Sequence, residues 1–142
     1  MNQFFVYGTL MSGMSNHQVI PKEAIESIEP AMMNGARLFR YGRSSFPGMV
    51  LGTGHVKGEV ITIKNRYLKK AIKLMDRLEG YIGPNNPMNF YDRVAERVVL
   101  SDGSEVNAYV YLFNKSQGGL TDQIEDGDFK RWVKENLRRY EI

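Results

Sequence analysis

Apolar and polar positions along this chain repeat with a period of two in several short stretches and with helical spacing in two longer ones. Gln3–Tyr7 is a brief apolar run closed by Gly8, which predicts a first strand. Ala36–Tyr41 and Met49–Leu51 read as strands flanking a turn at Pro47-Gly48. His55–Ile63 reads as another, with Val56, Val60 and Ile61 as β-formers. Val94–Leu100 and Val106–Phe113 stand on either side of Asp102-Gly103, a strong hairpin signal.

The first helical pattern runs from Arg66 to Leu78 or Glu79, with Asn65 as its cap and Gly80 where a C-terminal glycine belongs. The second, Phe129–Arg139, turns Phe129, Trp132, Val133 and Leu137 inward. Gly8 to Asn16 is a loop. A helical piece capped by Asn16 follows and is interrupted or restarted by Pro21. Tyr81–Phe90, rich in proline and asparagine, and Lys115–Asp126 are further loops. No repeat or linker divides the chain, so residues 1–142 are expected to form one domain. Strands with interspersed helices predict an α+β fold whose mixed sheet curls into a small barrel.

One residue breaks the helical pattern. Leu68, Ile72 and Met75 follow the i, i+4, i+7 spacing of a buried stripe, and the next position on it is Glu79. At ~100° per residue, Glu79 points within about 20° of Leu68. A carboxyl at that place is opposed by burial and by the helix C-terminal dipole, and both raise its pKa. A poised carboxyl suits a general acid/base. Two other readings fit the same pattern: an early helix end that turns Glu79 to solvent, or an ion pair with Arg93.

Composition narrows the chemistry. Hydrophobic residues at 42% and charged residues at 25% are ordinary for a globular fold. With no cysteine, disulfides, thiolate catalysis and cysteine-rich zinc sites are excluded. The two histidines, His17 and His55, form no metal-ligand spacing, so no metal is expected. The net charge of +3 calls for no nucleic-acid partner, and the basic helix face of Lys130, Arg131, Lys134, Arg138 and Arg139 reads as solvated. The first residues lack a basic signal region, and nothing approaches the ~20 apolar residues of a membrane span. A cytoplasmic protein with no membrane partner is expected.

Three weaker leads remain. Tyr7-Gly8-Thr9-Leu10 presents successive backbone N–H groups beyond a strand end, an arrangement that binds anions, although an ordinary glycine turn has the same residues. Glu59 shares a strand face with Ile61 and Ile63 and is a second candidate for an inward carboxylate, or else an edge-strand glutamate. Ser12 or Ser15 beside His17 is a faint nucleophile lead without a Gly-x-Ser-x-Gly elbow.

Phe5-Val6-Tyr7-Gly8-Thr9-Leu10, followed by Gly13 and Asn16-His17, resembles the gamma-glutamylcyclotransferase-like family, with its gamma-glutamylaminecyclotransferase branch looking closest. Phe46-Pro47-Gly48, Gly58-Glu59-Val60, Asp76-Arg77-Leu78-Glu79-Gly80-Tyr81 and Tyr91-Asp92-Arg93 fall in the family's order, as do Ala108-Tyr109-Val110-Tyr111 and Gly127-Asp128-Phe129. The resemblance implies a small mixed β-barrel with peripheral helices. It implies that Tyr7, Gly8, Thr9 and Leu10 hold a substrate α-carboxylate, with Glu79 as acid/base. The implied reaction releases 5-oxoproline and a free amine from a small gamma-glutamyl substrate, without metal or cofactor. A non-catalytic ligand-binding domain of the same fold is the alternative. The stretch Ile82–Phe90 departs from the family pattern, which leaves the amine open.

Overall fold

The computed structural model describes residues 1–136. In chain order it contains β1 (Gln3–Val6), β2 (Ile25–Tyr41), β3 (Pro47–Ile63), α1 (Leu68–Glu79), β4 (Tyr91–Leu100), β5 (Glu105–Phe113), β6 (Leu120–Gln123) and α2 (Phe129–Asn136). Five strands are hydrogen-bonded in the order β3-β1-β5-β4-β2, and β2 pairs back onto β3. That pairing closes the sheet into a mixed barrel, with β6 added to the far end of β2. Among the described residues, the one parallel contact within the barrel is β1 with β5, at Phe4 and Tyr109, and the other pairs are antiparallel.

The barrel is built around a long hairpin. β2 and β3 pair from Arg40 and Pro47 to Ile25 and Ile63, with register shifts at Ile25/Ser27 and Asn34/Ala36. Such irregularities bend a strand and increase its twist, which lets a hairpin this long wrap around a core. The short apolar run of β1 lies between β3 and β5, and Phe4, Phe5 and Val6 are all buried. β1 therefore ends inside the molecule and delivers Tyr7 and the loop after it to one end of the barrel. α1 buries Ala71 and Met75 fully and keeps Leu68 and Ile72 half-buried, as the stripe required.

Several expectations are corrected. Pro47-Gly48 is not a turn but the start of β3, and residues 42–46 make the turn instead. Proline suits a first strand position because it has no N–H to give the ladder. The stretch Ile25–Gly35, not expected to be a strand, forms the first two thirds of β2. Asn65 does not cap α1: Asn65–Tyr67 is a 3-10 turn and the helix starts at Leu68. Short helical turns do follow Asn16 and Pro21, at His17–Val19 and Lys22–Ala24. The loop expected over Lys115–Asp126 contains a 3-10 turn and β6. α2 is described to Asn136; Leu137, Arg138 and Arg139 of the expected helix lie outside the described residues.

Candidate functional site

β1, the end of α1 and the first residues of β3, β4 and the turn before β3 surround a cavity of about 290 Å³. Its floor is buried and includes Tyr7, Gly8, Leu10, Pro47, Tyr91 and Tyr111. Thr9 and Glu79 also face it. The cavity therefore gathers Tyr7, Gly8, Thr9, Leu10 and Glu79, all of which the sequence had singled out.

The loop after β1 is shaped by hydrogen bonds onto its own carbonyls. Met11 N–H donates to the Gly8 carbonyl at 3.1 Å, and Asn16 N–H donates to the Thr9 carbonyl at 2.9 Å. The Asn16 side chain donates to Thr9 Oγ1 at 2.9 Å, which leaves the hydroxyl proton of Thr9 uncommitted. His17 Nδ1 lies 2.9 Å from the Leu10 carbonyl, and since a carbonyl only accepts, that nitrogen carries the proton. Among the described residues, nothing accepts from the N–H groups of Gly8, Thr9 and Leu10. Successive backbone N–H groups without a protein acceptor are the kind of arrangement that binds anions. Gly8 is required by close approach, because a Cβ there would stand 2.9 Å from the Pro47 ring.

Glu79 is the last residue of α1. Gly80, at φ 68°, adopts the left-handed conformation that glycine favours, and Tyr81 N–H closes onto the Asp76 carbonyl at 2.9 Å. This cap fixes the direction of the final turn. The Glu79 side chain keeps some accessible surface because it faces the cavity, while protein packs around it otherwise. Burial pushes its carboxyl up to about 7.

Three buried phenols share the cavity with Glu79, and none gives it a proton. Tyr7 donates to the Tyr111 carbonyl at 2.6 Å, Tyr91 donates to the Pro47 carbonyl, and Tyr111 donates to Asp76 Oδ1 at 2.7 Å. Each phenol has one O–H, and each is spent elsewhere. Burial is the main reason that all three titrate well above the usual tyrosine range, and the Glu79 charge adds to it. Among the described residues no hydrogen bond or ion pair neutralises the Glu79 carboxylate. Its raised pKa follows from burial, with no such partner to offset it.

The remaining leads take structural places. Arg93 does not meet Glu79: its guanidinium grips Asp76 with contacts of 2.9 and 3.3 Å and lies over the rings of Tyr81 and Tyr109. Glu59 does not face the cavity. It accepts from Ser12 N–H at 2.7 Å, from Ser12 Oγ at 2.6 Å and from Lys130 Nζ at 3.1 Å, which ties the loop to α2 and holds its carboxyl below the usual range. Ser12 is therefore committed to Glu59 and not to His17. Ser15 reaches the cavity rim, and His55 is exposed on β3. Sequence reasoning gave no role to Phe46, Pro47, Tyr91 or Tyr111, although each stood in a motif noted above. Their convergence depends on strand register, which no local pattern reports.

Fold and cavity together define a closed mixed β-barrel protein with a buried carboxyl, unpaired among the described residues, at one barrel end. The chain belongs to the family described as "Gamma-glutamyl cyclotransferase, AIG2-like", whose model matches residues 4–131. It is 34% identical over 138 residues to the gamma-L-glutamyl-butirosin B gamma-glutamyl cyclotransferase of Niallia circulans, covering 97% of this chain and 80% of that protein. Among solved structures, it resembles an AIG2-like protein of mouse at 26% identity and TM-score 0.58, over 79% of this chain and 76% of that one. It also shares the fold of an uncharacterised protein of Pyrococcus horikoshii at 20% identity and TM-score 0.67, over 99% of each chain. Among the described residues, no helix is long and apolar enough to cross a membrane.

Proposed function

We propose that this protein is a cytoplasmic one-domain cyclotransferase that releases 5-oxoproline and a free amine from a gamma-glutamyl amine or peptide. The substrate's α-carboxylate sits on the N–H groups of the Gly8–Leu10 turn, with the Tyr7 ring behind it. The α-amine attacks the substrate's own γ-carbonyl. The new N–C bond closes the five-membered ring as the bond to the departing amine breaks. Glu79 takes a proton from the attacking amine and returns it to the leaving nitrogen. Holding amine and carbonyl together in the cavity contributes several kcal/mol, at most about 7–11. The proton transfer and the anion site are both supplied by the chain, so the reaction is read as independent of metal and cofactor.

The observation that carries this reading is the carboxyl of Glu79, poised at about 7, in the same cavity as the N–H groups of Gly8, Thr9 and Leu10, all without a partner among the described residues. Incubating the protein with gamma-glutamyl amides, dipeptides and glutathione tests it. Equimolar 5-oxoproline and free amine are expected from at least one of them. Binding of 5-oxoproline without turnover of any would favour a ligand-binding domain that performs no chemistry.

A further inference from the structure

The rim of the cavity differs from its floor in a way that bears on the departing amine. Ser15, Ser45 and Leu78 are exposed there, and Phe46 and Phe90 are half-buried. Phe46 and Phe90 meet edge to face, with ring centroids 6.1 Å apart at 67°. Phe46 is fixed from behind by stacking on Tyr41 at 5.2 Å and 16°, and Tyr41 also meets Phe90 edge-on at 5.1 Å. Two aromatic rings held by their neighbours and Leu78 thus form a preset apolar rim, suited to an apolar group at small ordering cost.

Charge at the rim points the same way. Of the described residues lining the cavity, Glu79 alone is charged. The acidic residues nearest the rim in sequence are engaged: Asp76 holds Arg93 and Tyr111, and Asp92 accepts from Asn89 at 2.9 Å. Arg43 in the turn before Phe46 and Arg77 beside Leu78 are both exposed and positive. Among the described residues, a leaving group that carried a second cation would find no carboxylate lining the cavity except Glu79. Pairing with Glu79 would lower its pKa and make it a weaker acceptor of the proton it has to take.

We infer that the leaving group of this enzyme is an apolar, preferably aromatic amine seated on Phe46, Phe90 and Leu78, and not an amine bearing a further positive charge. This rests on the proposed cyclotransferase activity. The test compares kcat/KM for 5-oxoproline release from the gamma-glutamyl amide of phenethylamine with that from the gamma-glutamyl amide of putrescine. The aromatic amide is expected to be favoured by about tenfold or more, the scale of contacts in an apolar pocket. Phe46→Ala should shrink that preference, and Ser45→Asp, an exposed rim change that leaves the apolar faces intact, should shift it toward the putrescine amide. Equal or better use of the putrescine amide by the unaltered protein overturns the inference and leaves the cyclotransferase reading standing. A preference unchanged in both variants also overturns it. Release of 5-oxoproline from neither amide, nor from glutathione or gamma-glutamyl dipeptides, overturns the underlying activity, and the inference falls with it.

Discussion

The Tyr7 hydroxyl donates to the backbone carbonyl of Tyr111 at 2.6 Å and accepts from Met49 N–H at 3.3 Å. It bridges β5 and β3 under the cavity and has no proton left for Glu79. Tyr7→Phe should therefore act on stability before chemistry. It strands a buried carbonyl and a buried N–H, a loss of about 1–3 kcal/mol. Urea unfolding should show that loss, while turnover per folded molecule stays within about tenfold of the unaltered protein, below the usual contribution of an acid–base group. A drop of a thousandfold with unchanged stability would mean that the phenol takes part in the reaction.

In the proposed reaction the Gly8–Leu10 turn binds the substrate carboxylate through its backbone and not its side chains. Gly8→Ala places a methyl 2.9 Å from the Pro47 ring, so loop or strand must move. Overpacking of this kind costs about 1–3 kcal/mol, and the displaced N–H groups should bind 5-oxoproline more weakly. Thr9→Ser keeps the hydroxyl that Asn16 contacts and should bind almost as well as the unaltered protein. Calorimetric titration of both variants with 5-oxoproline decides the matter, and equal affinities would remove the turn from the site.

Glu59 is expected to position the loop without touching substrate. Its folded pKa is lowered by Ser12 and Lys130 against burial, so its stabilising contribution is present above the ordinary glutamate range and is lost as pH falls through the folded value. Glu59→Gln should raise KM more than it lowers kcat, because the Ser12 anchor loosens while Glu79 is unaffected. The variant should also lose the part of the acid-induced destabilisation that Glu59 causes. An equal fall in kcat and kcat/KM would instead place Glu59 in the chemistry.

Dialysis against a chelator is expected to leave 5-oxoproline release unchanged, since in the proposed reaction Glu79 and the turn supply the proton transfer and the anion site. Loss of activity that a divalent cation restores would refute the metal-independent reaction.

Strong local patterns told most about the fold. β1, the α1 stripe with its Gly80 stop, and the β4–β5 hairpin about Asp102-Gly103 are fixed by neighbours in sequence, and they stand near where the sequence placed them. The first part of β2 was illegible because Glu26, Glu29, Pro30 and Asn34 interrupt its alternation. It is held by pairing with residues such as Ile61 and Ile63, more than thirty positions away. Within the site, Glu79 was legible because one helix sets its direction. Tyr91 and Tyr111 were not, since they meet the cavity only through the register that places Tyr91 opposite Phe113 and Arg93 opposite Tyr111. The same limit explains Arg93: the sequence offered Glu79 as its partner, and the three-dimensional arrangement gives it Asp76.

Burial of Glu79 also couples stability to pH. Its folded pKa is raised to about 7, above an unfolded value of ~4.3. Between those values the folded state binds the extra proton, so the group destabilises the fold as pH rises through 7. Glu79→Gln should unfold at higher urea than the unaltered protein at pH 8–9, by on the order of 1–3 kcal/mol, and at nearly the same urea at pH 4. No difference at either pH would show that Glu79 has an ordinary pKa.

The most direct test is the rate of 5-oxoproline release by the unaltered protein and by Glu79→Gln on one confirmed gamma-glutamyl substrate, followed across pH. The unaltered protein should show kcat/KM rising with pH through about 7 as the carboxyl ionises. Glu79→Gln should be slower by ~10²–10⁴-fold or more and lack that rise, while still binding 5-oxoproline. Near-normal turnover by folded Glu79→Gln, with the same pH dependence, would contradict the assignment of Glu79 as the acid/base.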